Sequence, residues 1–207
     1  VDLSVTTAGS YSGKVYLGTL SYPFSGGRLN EGVAIHNQNT ILVPRKGLTP
    51  LTFQFDLDAV SNLLTGSIID GANTAVVSGW RNKWSATDKA LLYKGYYTQA
   101  MAVPTPPLND FTYPHGDGYA TFTVAELGTL TVSGRLADDT AFTTSGGFVG
   151  PTGQIAVYTA LYGTTGGAVW GTSTITPAGA APGCAESTTA GTLNWIKHPQ
   201  TTGYTYA

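Results

Sequence analysis

Charged side chains are scarce in this chain. Asp, Glu, Lys and Arg make up 11% of its 207 residues, against about a quarter in a typical soluble protein. The formal net charge is −2, and Arg45-Lys46 is the only place where two cations are adjacent. Because no basic stripe is present to follow a phosphate backbone, we expect neither nucleic acid nor an anionic membrane surface as a partner.

Cysteine is nearly absent as well, and long apolar runs are missing. Cys184 is the only cysteine, so the chain cannot form an internal disulfide. Two interpretations of Cys184 stay open: an inert loop thiol, or a thiol that pairs between chains or reacts. No run of 18 apolar residues exists, so no membrane-spanning helix is predicted. The chain begins at Val1 without a signal peptide, and we interpret it as a mature or excised segment of a longer protein.

The common catalytic motifs are missing too. The sequence contains no G-x-S-x-G, H-E-x-x-H, C-x-x-C or P-loop pattern, and its three histidines lie far apart. Two strands could still bring a pair of carboxylates together for glycoside hydrolysis, which keeps an enzyme as the least favoured hypothesis. We expect no enzymatic activity and no cofactor.

Glycine, threonine and alternating strand patterns are what the chain has in quantity. Between Leu51 and Asp58, the side chains of Phe53, Phe55 and Leu57 face one way and polar side chains face the other. Such segments, separated by Gly-rich turns, predict roughly ten to thirteen short antiparallel strands. The only helix-like stretch is the turn at 85–90. We predict an all-β fold, an antiparallel meander closed as a barrel or a barrel-like sandwich, with two small β-domains in tandem as the alternative.

One strand–turn–strand pattern occurs twice. The stretch from Leu64 to Trp84 returns from Val132 to Phe148, and Asp-Gly or Asp-Asp follows the alternating residues in each copy. The residues that correspond without a gap are Leu64, Gly66, Ile68 and Asp70, with Val132, Gly134, Leu136 and Asp138. This predicts a β-hairpin used twice, with its two glycines in equivalent positions.

The repeat also suggests a domain organisation. A Tyr-x-Gly strand opening at Tyr11 returns at Tyr93. We therefore predict one duplicated β-domain over residues 1–177, with repeat units at about 9–92 and 93–176. Residues 178–207 are predicted to be a linker and a terminal strand, and whether further sequence follows stays open.

Aromatic side chains provide the best candidates for ligand binding: Trp80, Trp84, Tyr96 and Trp170. Exposed Trp and Tyr rings on a sheet can stack on sugar rings, but a chain without disulfides also needs such rings in its core. Both interpretations stay open. If one strand runs through Trp80 and Trp84, their equal parity puts them on one face. We expect Trp170 in the core, because Thr172 and Thr174 beside it suggest a tightly hydrogen-bonded sheet.

Calcium is a weaker candidate ligand. Asp110 and Asp117 flank a Gly-rich turn at Gly116–Gly118, and Asp138-Asp139 form another acidic turn. Calcium prefers several oxygen ligands around a flexible loop, but aspartate in such turns is also ordinary turn chemistry. No complete calcium-binding motif accompanies these residues, so we predict no metal site.

A succession of motifs in the second half resembles a known repeat. These motifs are G-x-G-Y-A-x-F-x-V (116–124), L-x-V-S-G-x-L-A-D-x-T (130–140), G-Q-I-A-V-Y-x-x-L-Y (153–162), G-x-x-x-G (167–171) and G-x-L-x-W-I-K (191–197). Together they resemble a β-repeat of large secreted or surface proteins of verrucomicrobial-type environmental bacteria. The resemblance implies an extracellular, non-enzymatic module that accompanies adhesive domains, and it carries no catalytic residue.

Three functional hypotheses follow. We expect a structural or adhesive module of a secreted or cell-surface assembly, with the other modules of a larger protein as its partners. The second hypothesis is a carbohydrate-binding module that uses a Trp/Tyr platform, with polysaccharide as the partner. An enzyme is the third.

Overall fold

The fold is built from short antiparallel strands. The computed structural model describes residues 1–28, 39–58, 60–103, 116–163, 166–179 and 187–198. These residues form fourteen strands and no α-helix, which confirms the predicted all-β class. The strands are β1 (Asp2–Val5), β2 (Ser10–Leu17), β3 (Leu20–Arg28), β4 (Asn39–Arg45), β5 (Leu48–Leu57), β6 (Leu63–Asp70), β7 (Asn73–Trp80), β8 (Gly95–Met101), β9 (Gly118–Val124), β10 (Thr129–Arg135), β11 (Ala141–Phe148), β12 (Gln154–Ala160), β13 (Gly167–Thr176) and β14 (Thr188–Lys197).

The strands form four sheets, each a meander in which consecutive strands pair. Sheet A contains β1–β3, sheet B contains β4–β7, sheet C contains β8–β11 and sheet D contains β12–β14. Every pairing among them is antiparallel. Short Gly-rich connections explain this topology, because antiparallel neighbours need only a tight turn between them.

The prediction of a closed barrel is wrong. None of the four sheets closes on itself within the described residues. The chain divides instead into two compact units, Val1–Arg81 with sheets A and B, and Asn82–Ala207 with sheets C and D. This division fits the alternative prediction, two small β-domains in tandem, more closely than a closed barrel. Alternation along a strand shows which side chains are buried, but it does not determine which sheet edges meet.

In the first unit, aromatic rings from sheets A and B form the core. Phe53 on β5 is fully buried, and its ring stacks on Phe55 at 4.8 Å between centroids with 23° between planes. Phe24 on β3 meets Phe53 edge-on at 5.6 Å and 62°. Because β3 belongs to sheet A and β5 to sheet B, this contact holds the two sheets together. Burying one such ring stabilises a fold by about 1.5–3 kcal/mol.

The second unit has its own core between sheets C and D. Its fully buried side chains come from both sheets and include Phe122, Val132, Ile155 and Val169. A buried polar contact supplements them, because the Ser173 hydroxyl on β13 lies 3.0 Å from Gln99 Oε1 on β8. Each unit therefore buries a separate apolar cluster.

Both stretches of the predicted repeat form a hairpin, one in each unit. β6 pairs with β7 in sheet B, and β10 pairs with β11 in sheet C. Gly66 lies opposite Phe55, and Gly134 lies opposite Ala120, each on the third strand of a four-stranded meander. A Cβ on either glycine would collide with a backbone carbonyl, that of Gln54 or of Tyr119 respectively. Both positions need glycine for the same reason, which is the close approach of the preceding strand.

The two hairpins differ at their tips. Asp70 pairs with Asn73 across a turn whose Gly71 has a φ of +59°, a left-handed conformation that favours glycine. In sheet C the connection is longer, covering residues 136–140, and Asp139 has a φ of +65°. The predicted turn after the first aspartate is therefore present in both hairpins, with different lengths.

The helix-like turn predicted at 85–90 is only a bend. The Ser85 hydroxyl accepts a hydrogen bond from the Asp88 N–H at 3.0 Å, as an N-cap would, but no helix follows. Among the described residues, no helix is long and apolar enough to cross a membrane.

Candidate functional site

The predicted aromatic candidates lie on different elements of the fold and in two different units. β7 ends at Trp80 in the first unit, and Trp84 lies beyond that strand in the second. No single strand runs through both Trp80 and Trp84, so the condition for placing them on one strand face is not met. Trp80 is half-buried, and Tyr96 on β8 is 68% exposed. Trp170 lies on β13 in sheet D, so these residues occupy separate parts of the fold.

Trp84 belongs to the core of the second unit. Its indole Nε1 donates a hydrogen bond of 2.6 Å to the Val149 carbonyl, and its ring meets Tyr93 edge-on at 5.9 Å. The ring lies against Gly128, where a Cβ would collide with it. Lys83 Nζ lies 4.4 Å from the ring centroid. These contacts give Trp84 a structural role, because its polar edge and one face are already occupied.

Trp170 is not in the core, contrary to our expectation. Val169 and Ile175 on β13 are buried, whereas Trp170 and Thr172 alternate with them on the opposite face. The register places Trp170 directly between Tyr158 on β12 and Asn194 on β14. The indole is half-buried at the centre of the outer face of sheet D.

We call the surface around these side chains the Tyr158–Trp170 face. It is defined by the even-numbered residues of β12, β13 and β14, whose central row is Tyr158, Trp170 and Asn194. The next row is Ala156, Thr172 and Thr192. No even-numbered position on these three strands carries a charged side chain. Two rings therefore lie on adjacent strands within a neutral surface of hydroxyl, amide and methyl groups.

Tyr158 is protonated across the physiological range. Burial raises the pKa of its hydroxyl above the ordinary value of about 10. The hydroxyl consequently keeps its proton at neutral pH, and the side chain already has an interaction within the chain. The sequence patterns did not single out Tyr158 or Asn194 as site residues. One pattern could have indicated the position of Tyr158. Ile155 and Val157 are buried, and Tyr158 has the opposite parity on the same strand, which places its ring on the outer face.

A buried polar cluster lies elsewhere in the second unit. Asp138 Oδ2 accepts hydrogen bonds from the Tyr162 hydroxyl at 2.8 Å and Lys197 Nζ at 3.1 Å. Its Oδ1 accepts one from the Thr140 N–H at 3.0 Å, and Trp195 Nε1 donates to the Tyr162 hydroxyl at 2.9 Å. The cluster joins the β10–β11 connection in sheet C to the end of β14 in sheet D.

The electrostatics of this cluster favour an ionised carboxylate. Burial of Asp138 acts to raise its pKa, but the hydrogen bonds from Thr140, Tyr162 and Lys197 together outweigh burial and hold the pKa below its usual range. Burial and the nearby carboxylate raise the pKa of Tyr162 to about 12. At neutral pH, Asp138 therefore cannot donate a proton and Tyr162 cannot accept one. The arrangement suits stabilisation of the fold rather than acid–base chemistry.

The first unit has a shallow polar groove of about 290 Å³ on sheet B. Thr40, Gln54 and Ser67 lie side by side on β4, β5 and β6, with Asp56 and Thr65 in the next row. Asp56 is the one carboxylate among the lining residues. Hydrolysis of a glycoside by the usual mechanism requires two carboxylates, so the groove does not supply that pair.

The weak calcium candidates are not brought together in the described structure. Asp117 is exposed just before β9, and Asp110 lies outside the described residues. Within the described part of the chain, no three His, Cys, Asp or Glu side chains form a group that could hold a metal ion. Asp138, in the other acidic turn, is paired with Lys197 instead.

Comparisons with known proteins give no relative. No protein-family model, no curated protein and no solved structure matches the chain. The resemblance to a surface-protein repeat therefore stays a prediction, and any functional conclusion depends on the geometry of the chain itself.

Proposed function

We propose that this chain is a non-enzymatic structural or adhesive β-module of a secreted or cell-surface protein, with the other modules of that protein as its partners. The observation that supports this most is the architecture. Two compact units follow one another, each with a three-stranded sheet, a four-stranded sheet and its own apolar core. Units built this way can serve as successive rigid spacers along a chain.

The surface chemistry and the ion pairs support the same proposal. Charged residues are few, and hydroxyl-bearing and small side chains occupy much of the exposed strand faces. Asp70 and Asp138 are each held in an ion pair, with Arg45 and Lys197 respectively. In both units, carboxylates at the hairpin tips thus contribute to the fold.

Sheets B and C also support an internal duplication. Gly66 and Gly134 occupy corresponding register positions, and each admits the carbonyl of the preceding strand. Duplication of one four-stranded meander would produce both. The Tyr-x-Gly strands provide less support, because β2 is the central strand of sheet A whereas β8 is an edge strand of sheet C.

Immunolabelling of intact cells of the source organism tests the proposed location. An antibody raised against the purified chain should label unpermeabilised cells or the secreted fraction, and external protease should remove the cell-bound label. A cytoplasmic protein of the same organism is the control for lysis. Label that appears only after permeabilisation, with none in the medium, would refute the proposal.

Glycan binding is the second candidate function, and the Tyr158–Trp170 face favours it. Two rings on adjacent strands with neutral polar neighbours provide the combination of stacking and hydrogen bonding that sugars use. An array of soluble and insoluble polysaccharides probed with the labelled chain tests this candidate. Retention on no member of the array would remove it and leave the structural role standing.

A further inference from the structure

We propose that β7 binds a second copy of this chain, by antiparallel pairing of the two β7 strands across a twofold axis beside Val76. Sheet B of one copy then continues into sheet B of the other. Such pairing goes beyond the proposed function and does not depend on it.

The edge strand β7 lacks the features that usually prevent edge pairing, which are proline, charged side chains and bulges. Within the described residues, β7 pairs with β6 alone. Its eight residues, Asn73–Trp80, include no proline and no charge, and its register with β6 has no bulge. The other edge strands of sheets A and B all carry such residues: Asp2 on β1, Pro23 and Arg28 on β3, and Pro44 and Arg45 on β4. Among the described edges of the first unit, β7 is therefore the one without this protection.

The hydrogen-bond pattern shows which backbone groups of β7 point to the open side. The Arg81 N–H donates to the Asn62 carbonyl at 2.8 Å, one position beyond the last residue pair of β6 and β7. Antiparallel residues alternate between hydrogen-bonded and non-hydrogen-bonded pairs, so the odd-numbered residues of β7 direct their N–H and C=O groups to β6. The backbone groups of Thr74, Val76 and Ser78 therefore point away from β6, toward the open side.

The strand is also accessible on both of its faces. Thr74, Ala75 and Val76 are all exposed, although consecutive strand residues point to opposite faces. Val76 is 87% exposed, which is unusual for a strand valine. A neighbouring strand that covers part of this side chain would remove apolar surface from water and so stabilise the pairing.

A second β7 strand matches this edge. When the twofold axis is perpendicular to the sheet beside Val76, Val76 lies opposite its own copy and Thr74 lies opposite Ser78 of the other copy. Each outward N–H then faces an outward carbonyl, as an antiparallel ladder requires. Valine meets valine, threonine meets serine, and no like charges are brought together. These matches come from the sequence of β7 itself, which favours a second copy over an unrelated strand.

Sedimentation equilibrium of the whole chain over a range of concentrations provides the test. We expect a monomer–dimer equilibrium. Val76→Lys places two ammonium groups opposite each other and should raise the dimer dissociation constant about tenfold or more. Its melting temperature in dilute solution should stay near that of the wild type, because Val76 is exposed. Val60→Lys is the matched control, since Val60 is 78% exposed and lies outside the strands of the same unit, and it should dimerise like the wild type.

Two results of this experiment would overturn the proposal: a wild type that stays monomeric at every concentration, or equal dimerisation of Val76→Lys and the wild type. Disulfide cross-linking then tests the register. In chains that carry Cys184→Ser, Val76→Cys should cross-link on mild oxidation, because the Cα atoms of a hydrogen-bonded pair lie about 5.5 Å apart, within disulfide range. Thr74→Cys is the control, since Thr74 and its copy are about 14 Å apart along the strands. Any result other than preferential cross-linking of Val76→Cys would overturn pairing beside Val76.

Discussion

Lys197 Nζ lies 3.1 Å from Asp138 Oδ2, and only 15% and 2% of the two side chains are exposed. The pair joins the end of β14 to the β10–β11 connection, so it links sheets D and C of the second unit. Asp70, which the predicted repeat aligns with Asp138, also meets a mostly buried cation. Arg45 donates to its two carboxylate oxygens at 3.0 and 2.6 Å, and the Arg45 side chain is 8% exposed.

The first prediction concerns the Asp138–Lys197 pair. Asp138→Asn should lower the free energy of unfolding by about 3 kcal/mol, because it leaves the Lys197 ammonium largely buried without its counter-charge. Chemical denaturation monitored by tryptophan fluorescence would measure the change.

The neighbouring residue provides a matched control for this substitution. Asp139 forms an exposed pair with Arg135, whose exposed fraction is 47%, and its positive φ suits asparagine as well as aspartate. Asp139→Asn should therefore change the free energy by less than about 1 kcal/mol. Equal losses in the two variants would show that burial does not strengthen the Asp138 pair.

The second prediction concerns acid. The folded-state pKa of Asp138 is lowered, so its contribution to stability is present above the unfolded-state pKa of about 4 and is lost as the pH falls through the folded-state pKa. The free energies of unfolding of the wild type and Asp138→Asn should therefore converge as the pH is lowered below about 4. Denaturation curves collected across the acid range would check this. A constant difference down to the acid unfolding transition would contradict the lowered pKa.

The third prediction concerns alkali. The folded-state pKa of Tyr162 is about 12, above the ordinary value of about 10. Its contribution is therefore complete below about pH 10 and declines as the pH rises toward 12, because the unfolded chain loses the phenolic proton first. Tyr162→Phe cannot titrate, so the stability advantage of the wild type over this variant should shrink across that interval. An advantage that grows or stays level would refute the assignment.

The fourth prediction concerns the two strand glycines. Gly66→Ala and Gly134→Ala should each cost about 1–3 kcal/mol, because the new Cβ collides with a backbone carbonyl that cannot rotate away. Gly79→Ala on β7 is the matched control for Gly66, since its Cβ would meet only the Leu64 side chain, at ordinary distances of 3.7 Å from Cδ2 and 3.9 Å from Cβ. That variant should be neutral or slightly more stable. Thermal unfolding would rank them, and a similar loss at Gly79 would show that any strand alanine is harmful here.

The sequence predicts strands better than it predicts their assembly. Alternation correctly placed Phe53 and Phe55 on one face of a strand, and that face is buried. The two predicted hairpins, around Gly66 and around Gly134, are present. The prediction that the sheet closes was wrong, because pairing partners and sheet edges depend on tertiary packing. No local pattern shows that sheets A and B share one core while sheets C and D share another.

The candidate site shows the same limit. Trp170 has the parity of Thr172 and the opposite parity to Val169, so alternation alone places it on the outer face. Our expectation of a core position gave more weight to the size of the ring than to that parity. The placement of Asn194 opposite Trp170 depends on the register between β13 and β14, and no short-range sequence pattern determines it.

The last prediction concerns Trp84, a predicted binding residue that has a structural role instead. Its partner Val149 is 65 residues away, so the sequence gives no indication of their contact. Trp84→Ala should lower the free energy of unfolding by about 3 kcal/mol or more, because it removes a large ring from the core of the second unit and leaves the Val149 carbonyl without the indole donor.

Trp84→Phe should recover much of that loss, since it restores the ring contact with Tyr93 but not the hydrogen bond. Tyr96→Ala should stay within about 0.5 kcal/mol of the wild type because Tyr96 is 68% exposed. Urea denaturation followed by circular dichroism avoids any dependence on the missing indole fluorescence. If Trp84→Ala unfolds at the same urea concentration as Tyr96→Ala, the ring does not stabilise the core, and Trp84 becomes a binding candidate again.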